Sequence, residues 1–439
     1  MRERGRGAAA RRPRPIRNRL ARRIRRIAIL NPLADFGISL YSHELAEGLA
    51  AQGVEVDVYG SVQTKPEHLA LPRRHRLLPV LGGPLFRQRR TLAGGARPAA
   101  APGEARPAPR RSWLGVPESL RGLLLGWELT LHLKRKRYDL VWTQWPEMSD
   151  GVRFWRRCRR FGLRVAHTVH NVLPHEEQPL DRARNGAVYR HASDLFVHSA
   201  FSASELGRLF PFTRGKVVVA RHGLYNCYSR CPDARAQTRQ GLGIGKSETA
   251  VLMCGAIRPY KNVDAVLEAL RSPATAGAVL ILAGEESGYP DPRREDPLGR
   301  SRALAEALGV RERVRFVPQF LPMADMAALF EAADTLLLPY TRTFGSGLLL
   351  LGMTFSKHIV GTGDGSMDEY VASYPRHTLL GDLRAPGIAA GLAEAIAGDR
   401  EPGCAGGRPP ELEWSRIAAE SLLALEQRAP GRAPVPAVS

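Results

Sequence analysis

"IRRIAILNPLADFGISLYSHELAEGLAAQGVEVDVYG", residues 24–60, contains an apolar run, a polar loop, an amphipathic stretch and a second apolar run. The apolar runs predict strands over 24–30 and 54–59. Between them, Ile38, Leu40, Tyr41, Leu45, Ala46 and Leu49 recur at helical spacing and predict a helix over 38–52, closed by Gly53. This is a βαβ unit. It places the polar loop 31–37 at the carboxyl end of the first strand, the edge at which open α/β sheets take their ligands.

The same alternation continues outward. "ESLRGLLLGWELTLHLKRKR" (118–137) predicts an amphipathic helix and "YDLVWTQW" (138–145) a strand; "GVRFWRRCRRF" (151–161) predicts a short helix and "LRVAHTVHN" (163–171) a strand. "SDLFVHS" (193–199) and "KVVVARHG" (216–223) complete a first domain over 24–225. A polar, Gly-rich linker, 226–247, leads to a second domain over 248–401. Its predicted elements are strand 249–257, helix 262–271, strand 278–284, helix 298–308, strand 313–318, helix 322–332, strand 334–340, helix 347–355 and strand 358–361. A last helix is expected over 411–428. No short-period repeat occurs, so solenoids and propellers are excluded. The fold class is therefore α/β, with two Rossmann-like doubly wound domains facing a cleft.

The net charge of +21 over 439 residues suggests a polyanion binder until the charge is located. Residues 1–26 carry twelve Arg against Glu3, and residues 73–111 carry ten Arg against Glu104. These two stretches account for nearly all of the excess. Both are poor in aromatics and rich in Pro, Gly and Ala, which predicts a disordered basic tail over 1–23 and a disordered insertion over about 86–112. The body is close to neutral, and the two basic stretches that carry the charge lack aromatics interleaved with their arginines, which argues against nucleic acid as partner. The tail lacks the apolar segment of a secretory signal. No stretch reaches the roughly 18 consecutive apolar residues of a spanning helix. The five cysteines have neither disulfide-framework nor metal-pair spacing. A cytoplasmic protein is expected, peripheral at the inner membrane face, because the tail and the helices 119–133 and 151–161 combine Leu, Trp and Phe with Arg.

"GAIRPYKNVDAVLEAL" (255–270), "LILAGE" (280–285) and "FLPMADMAALFEAADTLLLPY" (320–340) resemble, in that order, the donor domain of GT-B glycosyltransferases. The large nucleotide-sugar family that includes bacterial polysaccharide and lipid-linked mannosyltransferases is the nearest match. The resemblance covers nearly the whole chain outside the tail and the insertion. It implies transfer of a sugar from a GDP- or UDP-linked donor to a glycan or polyprenyl-linked acceptor.

The residues themselves support these roles. Gly255 ends a buried strand, and Arg258 and Lys261 follow just before a helix, where two cations and loop N–H groups would meet a diphosphate. In the family, the matching Arg and Lys contact the donor diphosphate. His170 ends the strand 163–171 at the cleft, with an ordinary pKa of about 6.5 that suits a general base. In related enzymes the matching His lies beside the reacting centre. Asn171, His175 and Glu176 follow it, and the loop with Asp35 and Gly37 corresponds in place to the flexible loop that approaches donor and acceptor.

Many retaining members carry two glutamates, one of which binds ribose. Aligning on "SKHIV" (356–360) places those positions at Thr343 and Leu351, so both carboxylates are absent. The segment instead resembles a subgroup with a Pro-Tyr and Ser-Gly loop, matched by Pro339, Tyr340, Ser346 and Gly347. Loop hydroxyls of Thr341, Thr343 and Ser346 and helix N–H groups can donate to sugar or phosphate oxygens, but they cannot replace a carboxylate as acceptor. Glu285, Asp364, Asp368 and Glu369 are the acceptor candidates. No metal-binding Asp pair occurs in a suitable loop, so no cofactor or metal is expected, and leaving-group charge falls to Arg258 and Lys261. Loss of the glutamates makes an inverting mechanism with His170 as base the more natural expectation. The alternative is a catalytically weakened, glycosyltransferase-like subunit that binds nucleotide or glycan.

Overall fold

The computed structural model describes residues 23–33, 36–81, 117–146, 148, 150–174, 177–284, 297–319, 321–341, 344–363, 365–398 and 407–428. The first sheet unit runs β1 (Arg26–Asn31), α1 (Phe36–Ala51), β2 (Glu55–Ser61), α2 (Pro66–Ala70), β3 (Arg76–Leu81), α3 (Glu118–Lys136), β4 (Leu140–Thr143), α4 (Val152–Arg160), β5 (Val165–Thr168), α5 (Asp181–His191), β6 (Asp194–Val197), α6 (Ala200–Leu209) and β7 (Val217–Val219). The second runs α7 (Ala234–Gly241), β8 (Thr249–Cys254), α8 (Val263–Ala269), β9 (Ala278–Ala283), α9 (Pro297–Ala307), β10 (Val314–Val317), α10 (Met323–Ala332), β11 (Thr335–Leu338), α11 (Gly347–Thr354), β12 (His358–Thr362), α12 (Met367–Val371), β13 (His377–Leu380) and α13 (Ala385–Gly398), followed by α14 (Trp414–Gln427).

Seven strands pair in the order β3-β2-β1-β4-β5-β6-β7 and six in the order β10-β9-β8-β11-β12-β13, every pair parallel. The strand order reverses between β1 and β4 in one sheet and between β8 and β11 in the other. Each reversal leaves a crevice at the carboxyl edge of the sheet, so both ligand edges are set by topology.

Side chains along β1 alternate between two cores. Ile27 and Ile29 pack with Tyr41, Leu45 and Leu49 of α1 and with Trp414 and Ile417 of α14. Ala28 and Leu30 pack with Leu129 and Leu133 of α3 and with Phe154 and Trp155 of α4. Burial on both faces explains why these strands read as continuous apolar runs. Truncating one such Leu or Ile to Ala costs about 2–5 kcal/mol. An interdomain hydrogen bond contributes about 1 kcal/mol. Each sheet is thus the stable unit, and the contacts between the two are the adjustable part.

Three features differ from expectation. Part of the arginine-rich stretch 73–111 is ordered, because residues 76–81 form the edge strand β3, where the missing N–H of Pro79 is tolerated. Arg76 makes two bonds, 2.6 and 2.7 Å, to the buried Asp57 of β2, so its charge is paired at the sheet edge while the side chain stays exposed. The expected insertion, about 86–112, and residues 1–22 of the expected tail 1–23 lie outside the described residues. The expected linker 226–247 contains α7, where Arg235 donates to the Ala332 carbonyl at 3.1 Å and Arg239 to Asp334 at 3.0 Å, fastening it to the end of α10. The expected order of the second unit stops at 358–361, whereas the chain adds α12, β13 and α13 before the terminal helix.

α14 crosses back to α1 of the first unit. A Cβ on Gly48 would stand 2.6 Å from the Trp414 carbonyl oxygen, and Trp414 Nε1 donates to the Leu224 carbonyl at 2.6 Å. In the same region Glu44 of α1 accepts the Cys227 N–H at 2.7 Å, and burial pushes its carboxyl from an ordinary 4.5 up to about 7. The folded chain therefore holds this proton to higher pH than the unfolded chain. The resulting stabilisation is complete below about pH 4.5 and is lost as pH rises through 7. At about 1.4 kcal/mol per unit this is about 3 kcal/mol at most. Glu44→Gln is expected to flatten this part of the stability profile, read by denaturant melts between pH 4.5 and 8; an unchanged slope would remove Glu44 as its source.

Candidate active site

On the second sheet, β8 ends at Cys254 and the chain turns out through Gly255 at φ 81°, while β9 ends at Ala283 and is followed by Gly284 at φ 150°. A Cβ on Gly284 would lie 2.4 Å from the Gly255 oxygen. Two backbone turns thus press together and leave a floor without side chains, as close approach of a ligand requires. A 3-10 turn, Pro259–Lys261, folds Lys261 back beneath this floor, where Nζ donates to the Cys254 carbonyl at 2.6 Å and lies 5.9 Å from the centre of the Tyr340 ring. Burial lowers its pKa from 10.5 to about 8. Asn262, at φ 53°, separates the turn from α8, so Lys261 lies under the Gly255 turn and not in front of the helix. Arg258 is half-buried at the mouth.

The loops after β8 and β11, the two sides of the crevice, are tied together. Asn262 Nδ2 donates to the Pro339 carbonyl at 2.7 Å and to Thr341 Oγ1 at 3.3 Å, and the Thr341 N–H donates to the Tyr260 carbonyl at 3.1 Å. Tyr260 and Tyr340 meet edge to face with centroids 5.2 Å apart. Ser346 is the N-cap of α11, accepting the Leu349 N–H at 3.2 Å, and it also hydrogen-bonds the Tyr340 hydroxyl. The cap uses a Ser346 lone pair and its hydroxyl also engages that of Tyr340, so the group expected as a ligand donor is committed within the protein, and Thr341 is the exposed hydroxyl among the described residues of this loop. Gly347 opens α11 against the first unit, where a Cβ would stand 2.7 Å from Tyr225 Oη.

Across the cleft, His170 follows β5 and Gln144 follows β4, beside the first sheet's switch point. His198 Nδ1 lies 3.1 Å from the Ala220 carbonyl, which only accepts, so the proton sits on Nδ1 and Nε2 carries the lone pair. His170 Nδ1, 3.3 Å from that lone pair, is then the donor, which leaves the lone pair of His170 on Nε2. That nitrogen stands 3.3 Å from the end of the Gln144 amide, and since two acceptors cannot pair, the amide is oriented with its N–H2 group, otherwise without a partner, donating to His170 Nε2. Burial and the neighbouring His198, His222 and His167 hold the His170 pKa well below 6.5; burial likewise lowers His198 to about 4 and His222 to about 3. All three are neutral at pH 7. Tyr41 touches all of them, with ring centroids 4.8, 5.2 and 4.9 Å away. His198, His222, Tyr41 and Gln144 were not among the expected site residues.

The remaining expected residues divide. Gly37 is exposed in the first turn of α1, and Asn171 offers its carbonyl to the Tyr189 hydroxyl at 3.4 Å. Asp35, His175, Glu176, Glu285, Thr343 and Asp364 lie outside the described residues. Asp368 is exposed on α12. Glu369 does not serve as a sugar acceptor here, because its carboxylate caps α6 of the opposite unit, accepting from the Ala200 and Phe201 N–H groups at 2.8 and 2.7 Å. Glu67 of α2 does the reverse, accepting the Met323 N–H at the start of α10 at 3.0 Å. Phe344 inserts into the first unit's core beside Phe201, at a centroid distance of 5.9 Å. Among the described residues no group of three or more His, Cys, Asp or Glu is placed to hold a metal ion.

Two parallel sheets with facing switch points, one edge carrying a glycine floor over a buried lysine, define a two-domain glycosyltransferase of the GT-B architecture. Residues 36–223 match the family described as "Glycosyl transferase 4-like domain" and residues 234–401 match "Glycosyl transferases group 1", and the chain belongs to these glycosyltransferases. It is 29% identical over 357 residues to a D-inositol 3-phosphate glycosyltransferase of Streptomyces scabiei, covering 75% of this chain and 74% of the relative. Its fold is shared with sucrose-phosphate synthase from Thermosynechococcus elongatus (TM-score 0.60, 18% identity, 92% of this chain and 94% of the other). It is likewise shared with Anabaena HepE solved with UDP and glucose (TM-score 0.58, 16% identity, 92% and 95%).

Proposed function

We propose that the chain transfers a hexosyl group from a GDP- or UDP-linked donor to a glycan or polyprenyl-linked acceptor at the cytoplasmic membrane face. The observation that carries the donor side is the Gly255–Gly284 floor with Lys261 beneath it and Arg258 at its mouth. A diphosphate laid on that floor meets backbone N–H groups and two cations, which take up leaving-group charge without a resident metal. In this reading His170, at the carboxyl edge of the first sheet, is a neutral imidazole whose Nε2 lone pair would accept the acceptor hydroxyl's proton once Gln144 turns aside. The names of the sequence relatives favour a second acceptor, a phosphorylated inositol.

Thermal melts with UDP, GDP and their sugars test the donor reading, since a ligand that binds only the native state stabilises it by about 2.7 kcal/mol at 100 Kd. A raised melting temperature with one base is expected, and no shift with any donor sinks the proposal. Single-turnover release of nucleoside diphosphate, with glycan, lipid-linked and inositol-phosphate acceptors in parallel, then separates transfer from mere binding. Binding without release from any donor favours the weakened-subunit alternative, to which the absent glutamates and the occupied Ser346 hydroxyl also point.

A further inference from the structure

α3 exposes Leu120, Leu124, Trp127 and Leu131, 46, 47, 41 and 37% accessible, at spacings of four, three and four residues. This is a single stripe along one helix face, and it runs on into the exposed Lys134 and Arg135. α4 lies alongside, joined through the edge-to-face contact of Trp127 with Phe161 (6.0 Å between centroids) and the bond from Lys134 Nζ to the Phe161 carbonyl at 2.6 Å. The Arg157 guanidinium, ion-paired with Asp150, stands 5.1 Å from the centre of the Trp127 ring and holds the indole in place. The outer side of α4 presents Arg153, Arg156, Arg159 and Arg160, all exposed. Arg156 and Arg159, with Arg190 and Lys216, lie close enough to His191 to depress its pKa beyond the effect of burial, so the positive field extends to α5.

An apolar stripe with a tryptophan in its middle and a cationic bank along its side matches a bilayer interface, where indole and leucines enter the headgroup region while arginines meet phosphates. A nucleic acid would use the arginines and leave the leucines in water. Among the described residues no helix is long and apolar enough to cross a membrane, so the contact is with one leaflet only.

We infer that the α3–α4 face docks the chain on an anionic lipid bilayer. The docking deepens the reading of a lipid-linked acceptor, and it is measured by binding alone, so failure of transfer and failure of docking are distinguishable. Co-sedimentation of the full chain with phosphatidylcholine vesicles, with and without phosphatidylglycerol, is the test. Strong binding is expected only with the anionic lipid. Each basic residue at an anionic surface is worth about fivefold in affinity, so Arg156→Glu with Arg159→Glu should weaken binding by at least about 25-fold. Leu124→Ser with Trp127→Ser should weaken it about tenfold or more while leaving binding to soluble heparin unchanged. These side chains are exposed, and circular dichroism melts confirm that each variant is folded. Wild-type vesicle binding by the Leu124/Trp127 variant would mean that cationic groups alone hold the surface and would overturn the proposal. Equal binding to neutral vesicles, or no vesicle binding by the unaltered chain, would overturn it too.

Discussion

Lys261→Met is expected to lower kcat/KM for the sugar nucleotide by about 10²–10³-fold, the loss typical of a preorganised group aimed at developing charge. The fold should survive, because the ammonium is costly where it stands. Its pKa falls from 10.5 to about 8 on burial, so at neutral pH the charged form penalises folding by roughly 3 kcal/mol, against about 1 kcal/mol for the bond to the Cys254 carbonyl. Turnover should therefore drop by that factor while the melting temperature holds or rises. In the unaltered chain, stability should climb between pH 8 and 10.5, where the unfolded chain holds a proton that the native chain has released. Over the same range kcat/KM should fall as the Lys261 charge is lost. The Met variant should show neither change. Wild-type kcat/KM in that variant would exclude Lys261 from the donor site.

Gly284→Ala should have the largest effect on stability. The added methyl would sit 2.4 Å from the Gly255 oxygen and 2.8 Å from its carbonyl carbon, with the backbone at φ 150°, a conformation that L residues rarely adopt. Both neighbours are backbone, so no side chain can swing away. A loss of about 3 kcal/mol is expected from strain and overlap together. Displacing the Gly255 turn also moves the backbone above Lys261, so nucleotide binding should weaken alongside. Gly381→Ala is the control, since a Cβ there meets nothing within 4 Å. Equal melts for the two variants, with equal nucleotide affinity, would show that the floor yields and is not a constraint.

Much of this architecture is legible in the sequence. The strands buried on both faces appear as apolar runs, and the polar loops between them mark the sheet's ligand edge, which is how Gly255, Lys261 and His170 stand out. β3 does not, because Arg76 reads as one more charge of a basic stretch, and its pairing with the buried Asp57 on the neighbouring strand is not visible locally. His198, His222, Tyr41 and Gln144 converge on His170 from separate elements, and no local spacing encodes that meeting. Phe344 reads as an isolated aromatic in a hydroxyl-rich loop, since its partner Phe201 lies in the other unit. Glu369 reads as a sugar acceptor because an acidic residue near the site has no visible alternative use until α6 stands opposite it.

The exchange of carboxylates, Glu67 onto α10 and Glu369 onto α6, makes each unit the stopper of a helix end in the other. Parting the units would release two carboxylates in the same movement, stripping the start of α10 of its side-chain acceptor and leaving α6 with only its own Ser199 cap. Such a joint resists partial separation, so admission of substrate should proceed as one concerted opening, with engaged and parted arrangements favoured over those between.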